Sequence, residues 1–400
     1  MDGPRPLAGL TVLDMSQGIA GPSCGSHFAA YGARVIKIEP PEGDWIRKLG
    51  ARIAGSSSST IVYNRGKESL AVDLKSKEGR SIALTIGEQA QVVLESARPG
   101  VMERLGLGFA AFRERNPGVV YVSISGYGQR GPKRETAMVD TVGQAHSGLM
   151  SVIRARDGAP VKINMPLIDA ITGLYAFQAA SMELWGRKAD QPGRHIDVSL
   201  MQSAAHIQAL NIVEHAFVGQ PPALLNPPAG NYPTADGWIA VTLVTEAQYQ
   251  AICRAAGRPD LGSDPRFATF AARRENLPAL RTELDAVLKT RPTRAWVEAF
   301  EHEGALGAAI NDYGDWLADP HVQAVEAAPE YELATGETVP LPHLPGGVFD
   351  DAAVPIIGEH SRSILAELGY ARDEIDALVG RGVVVELGGE GRKRGKACRQ

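Results

Sequence analysis

Short apolar runs alternate with helical stretches through the first 125 residues, and this alternation limits the fold more than any single motif. Leu10-Thr-Val-Leu-Asp-Met15 suits a buried parallel strand. Gln17-Gly-Ile-Ala-Gly-Pro22 makes a tight turn, and Pro22 fits the first turn of a helix reaching Tyr31. Arg34-Val-Ile-Lys-Ile-Glu39 returns as a second strand. The order recurs as a helix near 79–88, a strand at 91–95, a helix near 108–114 and a strand at 119–124. Strands joined through helices imply an α/β fold with a parallel sheet covered on both faces.

At 400 residues the chain exceeds the roughly 250–300 at which a single core stops growing, so two domains are expected. Further on, a helix runs to Trp185, Arg194-His-Ile-Asp-Val-Ser199 reads as a strand, and a long helical pattern reaches Val218. The loop-rich Gly219-Gln-Pro-Pro and Asn226-Pro-Pro-Ala-Gly-Asn231 mark a boundary. We therefore expect a Rossmann-like large domain over 1–220, a smaller α+β domain over 221–325, and a segment 326–387 returning to the large domain. The Gly-rich, basic tail 388–400 reads as disordered.

Composition excludes several partners. A net charge of −5 lacks the basic footprint that the phosphate backbone of nucleic acid demands. Apolar runs fall short of the roughly 18 residues of a membrane span. Cys24, Cys253 and Cys398 make no metal spacing and fit a reducing compartment. The N-terminus lacks the basic and apolar regions of a signal peptide, so a cytoplasmic location is expected. No histidine pair has metal-ligand spacing, and no metal or resident cofactor is expected.

Two glycine motifs invite a dinucleotide reading. Gly126-Tyr-Gly128-Gln-Arg-Gly131 follows a strand, but Pro132-Lys-Arg-Glu comes next where an apolar helix should begin, so it reads as a turn. The opening unit ends its second strand on Glu39, yet Gly18-Ile-Ala-Gly21 lacks the three-glycine spacing. There is no P-loop. Asn64-Arg-Gly66-Lys67 and Ala97-Arg98-Pro-Gly100-Val-Met-Glu-Arg104 place cations in glycine-bearing loops, which suit either a phosphorylated ligand or plain solvation. His146 reads as an acid/base or a packed helix residue. Asp169, where Pro166-Leu-Ile-Asp169 opens a long apolar helix, reads as an N-cap or as a carboxylate nucleophile.

Together these segments resemble the family III CoA-transferases, relatives of formyl-CoA:oxalate and carnitine CoA-transferases. The resemblance is carried by Pro6–Asp14, Val35–Arg47, Asn64–Lys67, Ala97–Gly106, Val119–Gly128, Pro166–Asp169, Arg194–Met201, Tyr232–Trp238 and Asp264–Phe267. It implies that Asp169 attacks an acyl-CoA thioester and passes through an anhydride to an aspartyl-CoA thioester, from which an incoming carboxylic acid takes the CoA. It also implies CoA contacts at Gln17, Gly18 and Ala20, at Lys67, at Ser96, Ala97, Arg98 and Arg104, and at Asp140. An interlocked homodimer is implied as well. Asp169 near a helix N-terminus would stay ionised. Arg47, Arg52 and Tyr127 are candidates for holding the acid's carboxylate.

The departures shape the expected chemistry. Glu95-Ser96-Ala97 stands where many members carry Glu-Asn-Phe. The α-methylacyl-CoA racemases need a His-Asp pair, and the matching positions here read Val139-Asp140. The Gly-rich lid of formyl-CoA transferases is replaced by Pro227-Pro-Ala-Gly230. The expectation is therefore a CoA-transferase moving CoA from an acyl-CoA, with succinyl-CoA as the expected donor, to a small carboxylic or dicarboxylic acid. The rival expectations are an acyl-CoA racemase or isomerase, a non-catalytic subunit of a heteromeric transferase, and a dinucleotide-dependent enzyme.

Overall fold

The computed structural model describes residues 5–53, 55–155, 158–186, 191–219, 226–347 and 352–386, so the 388–400 tail lies outside the described residues. Chain contacts divide the molecule into one unit of residues 1–213 with 327–400, and a second of residues 214–326.

The larger unit is built on six parallel strands: β1 (Thr11–Asp14), β2 (Arg34–Glu39), β3 (Glu68–Val72), β4 (Val92–Glu95), β5 (Val120–Ser125) and β6 (His195–Ser199). Their spatial order is 3-2-1-4-5-6, the doubly wound order that reverses between β1 and β4. The short strand Val384–Val385 adds to β3 in the antiparallel sense, an edge the sequence patterns did not reveal. β3 itself was expected to be part of a cationic loop, because Lys67 and Glu68 precede its brief apolar run.

Successive side chains point to opposite faces, and β1 to β5 are buried almost throughout, so both faces of the sheet are covered. Leu13, Ile36, Leu70, Val93 and Tyr121 form one core with Ile82 and Phe112 of the helices α3 (Lys77–Gln89) and α4 (Phe109–Arg115). Ile364, Leu365, Ile375 and Leu378, from beyond residue 352, complete that core. Val12, Val35, Val92 and Val122 form the other, with Phe28 of α1 (Ala20–Ala30) and Ile168 and Ala176 of the long helix α6 (Leu167–Gly186). Between these in sequence lie α2 (Ser58–Asn64) and α5 (Asp140–His146). The helical pattern expected to run unbroken to Val218 is two helices, α7 (Leu200–Ile207) and α8 (Ala209–Val218).

Gly173 decides how α6 meets α1. A Cβ there would lie 2.7 Å from the Ala20 carbonyl oxygen, so only glycine permits this close crossing. The crossing brings the first turn of α6 to the turn that follows β1.

The second unit packs the antiparallel strands Gly230–Pro233, Trp238–Thr242 and Leu306–Ala309 with the helices Glu246–Ala255, Leu277–Leu288 and Thr293–Glu303. Tyr232, Ile239, Tyr249, Phe267, Trp296 and Phe300 make its core. Among the described residues no helix is long and apolar enough to cross a membrane.

Candidate active site

In open α/β sheets ligands bind beyond the carboxyl ends of the strands, where the strand order reverses. A cavity of about 1230 Å³ lies there, larger than the roughly 300–1,000 Å³ of common small-molecule sites. Every parallel strand contributes to its lining. Gln17 to Gly21 follow β1, Pro40 to Glu42 follow β2, Asp73 to Lys75 follow β3, Ser96 and Ala97 follow β4, Gly126 follows β5, and Leu200 follows β6. Trp45, Ser58, Ser59, Tyr63, Val139, Asp140, Lys162, Asn164 and Asp169 are also in the wall.

Asp169 occupies the first turn of α6, which begins two residues earlier at Leu167, so it is not the helix cap. The acceptor at that terminus is Asp140, the first residue of α5. Its Oδ1 receives the N–H groups of Ile168 (2.7 Å) and Asp169 (3.3 Å). Its Oδ2 receives Gln144 Nε2 at 2.6 Å. Gln144 also takes the Ile163 N–H and donates to the Ile163 and Met165 carbonyls, fastening the segment that leads into α6. Asp140 thus uses the donors that would otherwise have favoured a charged Asp169.

The expected ionisation of Asp169 is overturned accordingly. Burial, then the Asp140 carboxylate, push its pKa from 3.8 up to about 7. Asp169 is a half-titrated, poorly hydrated carboxylate near neutral pH.

The turn after β1 is fixed from below by a buried charge network. Lys67 donates to Asp14 Oδ2 and to the Pro22 carbonyl, both at 2.8 Å. Ser16 bonds Asp14 Oδ1 through its hydroxyl and its N–H. Lys37 reaches the Ser16 carbonyl at 2.7 Å and pairs with Asp44, whose Oδ1 receives the Gly18 N–H. Burial alone would raise the Asp14 pKa, but Lys67 and Lys37 hold it below the usual value. Gly18, at φ +84°, has no room for a Cβ because the Trp45 ring lies 2.6 Å from that position.

Several expected site residues fall elsewhere. Lys67 is sealed in its bonds to Asp14 and the Pro22 carbonyl and is absent from the cavity lining; it fastens the β1 turn from below. Arg47 is bound at both ends by Glu39 and by the Pro355 carbonyl, so it is not free for an acid. Arg52 donates to the Arg47 carbonyl and lines a separate cleft of about 500 Å³. Tyr127 is buried edge-on against His146, outside the lining, and His146 is exposed at the end of α5. Arg98 and Arg104 are exposed, beside the lining residues Ala97, Val101 and Leu105.

Other expectations meet at the cavity. Gln17, Gly18, Ala20, Ser96, Ala97, Asp140 and Asp169 all line it. Ser96 joins two of its walls, accepting the Gln17 N–H at 2.8 Å and donating to the Gln17 carbonyl at 3.1 Å. Lys75, Lys162 and Tyr63 were missed. Once β3 is recognised, residues 73–75 fall at a strand's carboxyl end, and that rule alone points to Lys75. The dinucleotide reading also loses its acidic residue, since Glu39 is occupied by Arg47 and Ser69. Among the described residues no cluster of three or more His, Cys, Asp or Glu side chains is arranged to hold a metal ion.

A doubly wound sheet with a capacious cavity at its reversal, and an aspartate in the wall, belongs to the class of open α/β proteins that bind their ligands at this switch point. The profile of CoA-transferase family III matches residues 7–361, and the chain belongs to that family and is a CoA-transferase. It is 31% identical to succinyl-CoA–D-citramalate CoA-transferase of Chloroflexus aurantiacus, over 95% of this chain and 98% of that one. It is 31% identical to succinate–glutarate CoA-transferase of Agrobacterium fabrum, over 91% and 96% of the two chains. The crystal structure of a CAIB/BAIF family protein from Brucella suis matches with a TM-score of 0.80 at 29% identity, covering 91% of this chain and 99% of that one.

Proposed function

We propose that this chain transfers CoA from succinyl-CoA to a small carboxylic or dicarboxylic acid through covalent intermediates on Asp169. The carrying observation is the Asp169 carboxylate, exposed to the cavity, held by the Asp140-capped helix and titrating at about 7. A desolvated carboxylate attacks the thioester carbonyl carbon, the C–S bond breaks, and CoA leaves as thiolate from a mixed anhydride. The thiolate then attacks the Asp169 carbonyl carbon and releases the donor acid, leaving aspartyl-CoA. The acceptor's carboxylate attacks that thioester to give a second anhydride and thiolate. Attack by the thiolate on the acceptor's acyl carbon makes the new acyl-CoA and frees Asp169. One thioester replaces another, so no nucleotide hydrolysis is needed.

The cavity's charges support a division of labour. Lys75 and Lys162 are the cations among its described lining residues. Lys75, after β3, suits a phosphate of CoA, with exposed Arg98 and Arg104 as further phosphate contacts. Lys162, seven residues before Asp169 in the wall segment that leads into it, suits the second carboxylate of a dicarboxylic acid. The relatives' succinyl-CoA, glutarate and D-citramalate carry this pattern of charge. A racemase would need paired bases, and no histidine is among the described lining residues.

A homodimer accompanies this reading. In the larger unit Leu210, Ile212 and Val213 of α8 are exposed apolar side chains, and Trp185 of α6 is 88% exposed. Such a surface suits a second copy of the chain. A cytoplasmic setting is consistent with the free, buried thiols of Cys24 and Cys253.

The test is to incubate the purified chain with succinyl-CoA and a panel of mono- and dicarboxylic acids, and to read new thioesters by mass. Dicarboxylyl-CoA products support the reading. Loss of deuterium from an α-deuterated acyl-CoA with no CoA exchange would replace it with the racemase.

A further inference from the structure

Tyr63, in the last turn of α2, lines the same cavity as the nucleophile. The helix is started by Ser57, whose hydroxyl accepts the Thr60 N–H at 3.2 Å, and its last turn presents Tyr63 to the cavity that Asp169 and Asp140 also line. The ring is half-buried. Buried tyrosine hydroxyls normally find a partner. Those of Tyr121, Tyr232, Tyr249 and Tyr331 each donate to a main-chain carbonyl at 2.6–3.1 Å. Tyr63 makes no such bond to any described residue.

Burial first, then the Asp169 and Asp140 carboxylates, raise the Tyr63 pKa above its ordinary value. Two consequences follow. The phenol lies within electrostatic reach of both carboxylates, and it stays protonated near neutral pH, where Asp169 ionises. It is therefore a donor and not a base.

We propose that Tyr63 is a catalytic residue whose hydroxyl donates a hydrogen bond to the acyl oxygen of the thioester while Asp169 attacks. This rests on Asp169 being the nucleophile. As the Asp169 oxygen bonds to the acyl carbon, the carbonyl electron pair moves onto the acyl oxygen, and the phenol stabilises that charge without losing its proton. When the C=O bond re-forms and CoA departs as thiolate, the hydrogen bond relaxes. The same donor serves the second anhydride, in which the acceptor's acyl group occupies that position. An oxyanion donor acts on the transition state and leaves ground-state affinity nearly untouched.

Tyr63→Phe deletes only the oxygen, which makes no hydrogen bond to a described residue. The experiment mixes wild type and variant with the CoA thioester that wild type uses best, quenches rapidly, and follows acyl-enzyme by intact mass alongside thioester affinity by calorimetry. The acylation rate should fall on the order of 10²-fold with affinity unchanged. An unchanged acylation rate overturns the proposal, and so does weakened affinity with the rate preserved. Wild type that forms no acyl-enzyme with any thioester overturns the Asp169 reading and this one together, whereas a wild-type acyl-enzyme with a fully active variant overturns only this one.

Discussion

Replacing Asp169 by asparagine should stabilise the protein, and increasingly so as the pH rises. In the folded chain the Asp169 pKa stands at about 7 against an ordinary 3.8. Each tenfold change is about 1.4 kcal/mol, so the folded environment favours the acid over the carboxylate by about 4 kcal/mol. The folded state holds a proton that the unfolded chain has released between these two values, so stability falls as pH rises through this window. Below about pH 4 both states are protonated and wild type and D169N should match. Above about pH 7 wild type bears the full cost and D169N, uncharged and similar in shape, should exceed it by up to about 4 kcal/mol. Glu95, which burial also pushes to about 7, is present in both proteins and cancels in the difference. Urea denaturation of the two proteins at a series of pH values reads this directly. A stability difference that does not vary with pH would refute the account of Asp169 as a carboxylate kept poorly solvated at a cost to the fold.

Asp140 supplies part of that cost, so Asp140→Asn should lower the Asp169 pKa. The acidic limb of the acylation-rate profile should then move to lower pH, while the asparagine carbonyl still accepts the Ile168 N–H. A limb that stays in place or moves upward contradicts this. Lys67→Met should leave Asp14 a buried, half-paired carboxylate and cost about 3–5 kcal/mol in denaturant unfolding. Unchanged stability with a raised KM for the thioester would instead return Lys67 to the role of a ligand contact.

Much of the fold was legible because the information was local. The apolar runs of β1, β2, β4 and β5 and the intervening helices announce themselves within windows of ten residues, and the series is enough to imply a parallel sheet. β3 was hidden because Lys67 and Glu68 precede its apolar core and make it look like a solvated loop. The nature of Lys67 depends on Asp14, 53 residues earlier, and that pairing leaves no trace in either neighbourhood. The same holds for Asp140 and Asp169. Their 28- and 29-residue contacts exist only because α5 and α6 meet, and the meeting decides that one carboxylate caps the helix while the other is left half-titrated. Arg47 and Arg52 misled for the converse reason: exposed-looking cations near a loop carry no mark of the Glu39 carboxylate and the Pro355 carbonyl that engage Arg47. Tyr63 gave no signal either, since a tyrosine in a short apolar helix normally packs and bonds inward.

The account stands or falls on acyl transfer to Asp169. Wild type and Asp169→Ala are mixed with acyl-CoA, quenched with hydroxylamine, digested, and examined by mass for a hydroxamate on the peptide that contains residue 169. The expected outcome is a hydroxamate at Asp169 in wild type and neither label nor CoA exchange in the variant. Undiminished CoA exchange by a folded Asp169→Ala protein would contradict the covalent route altogether.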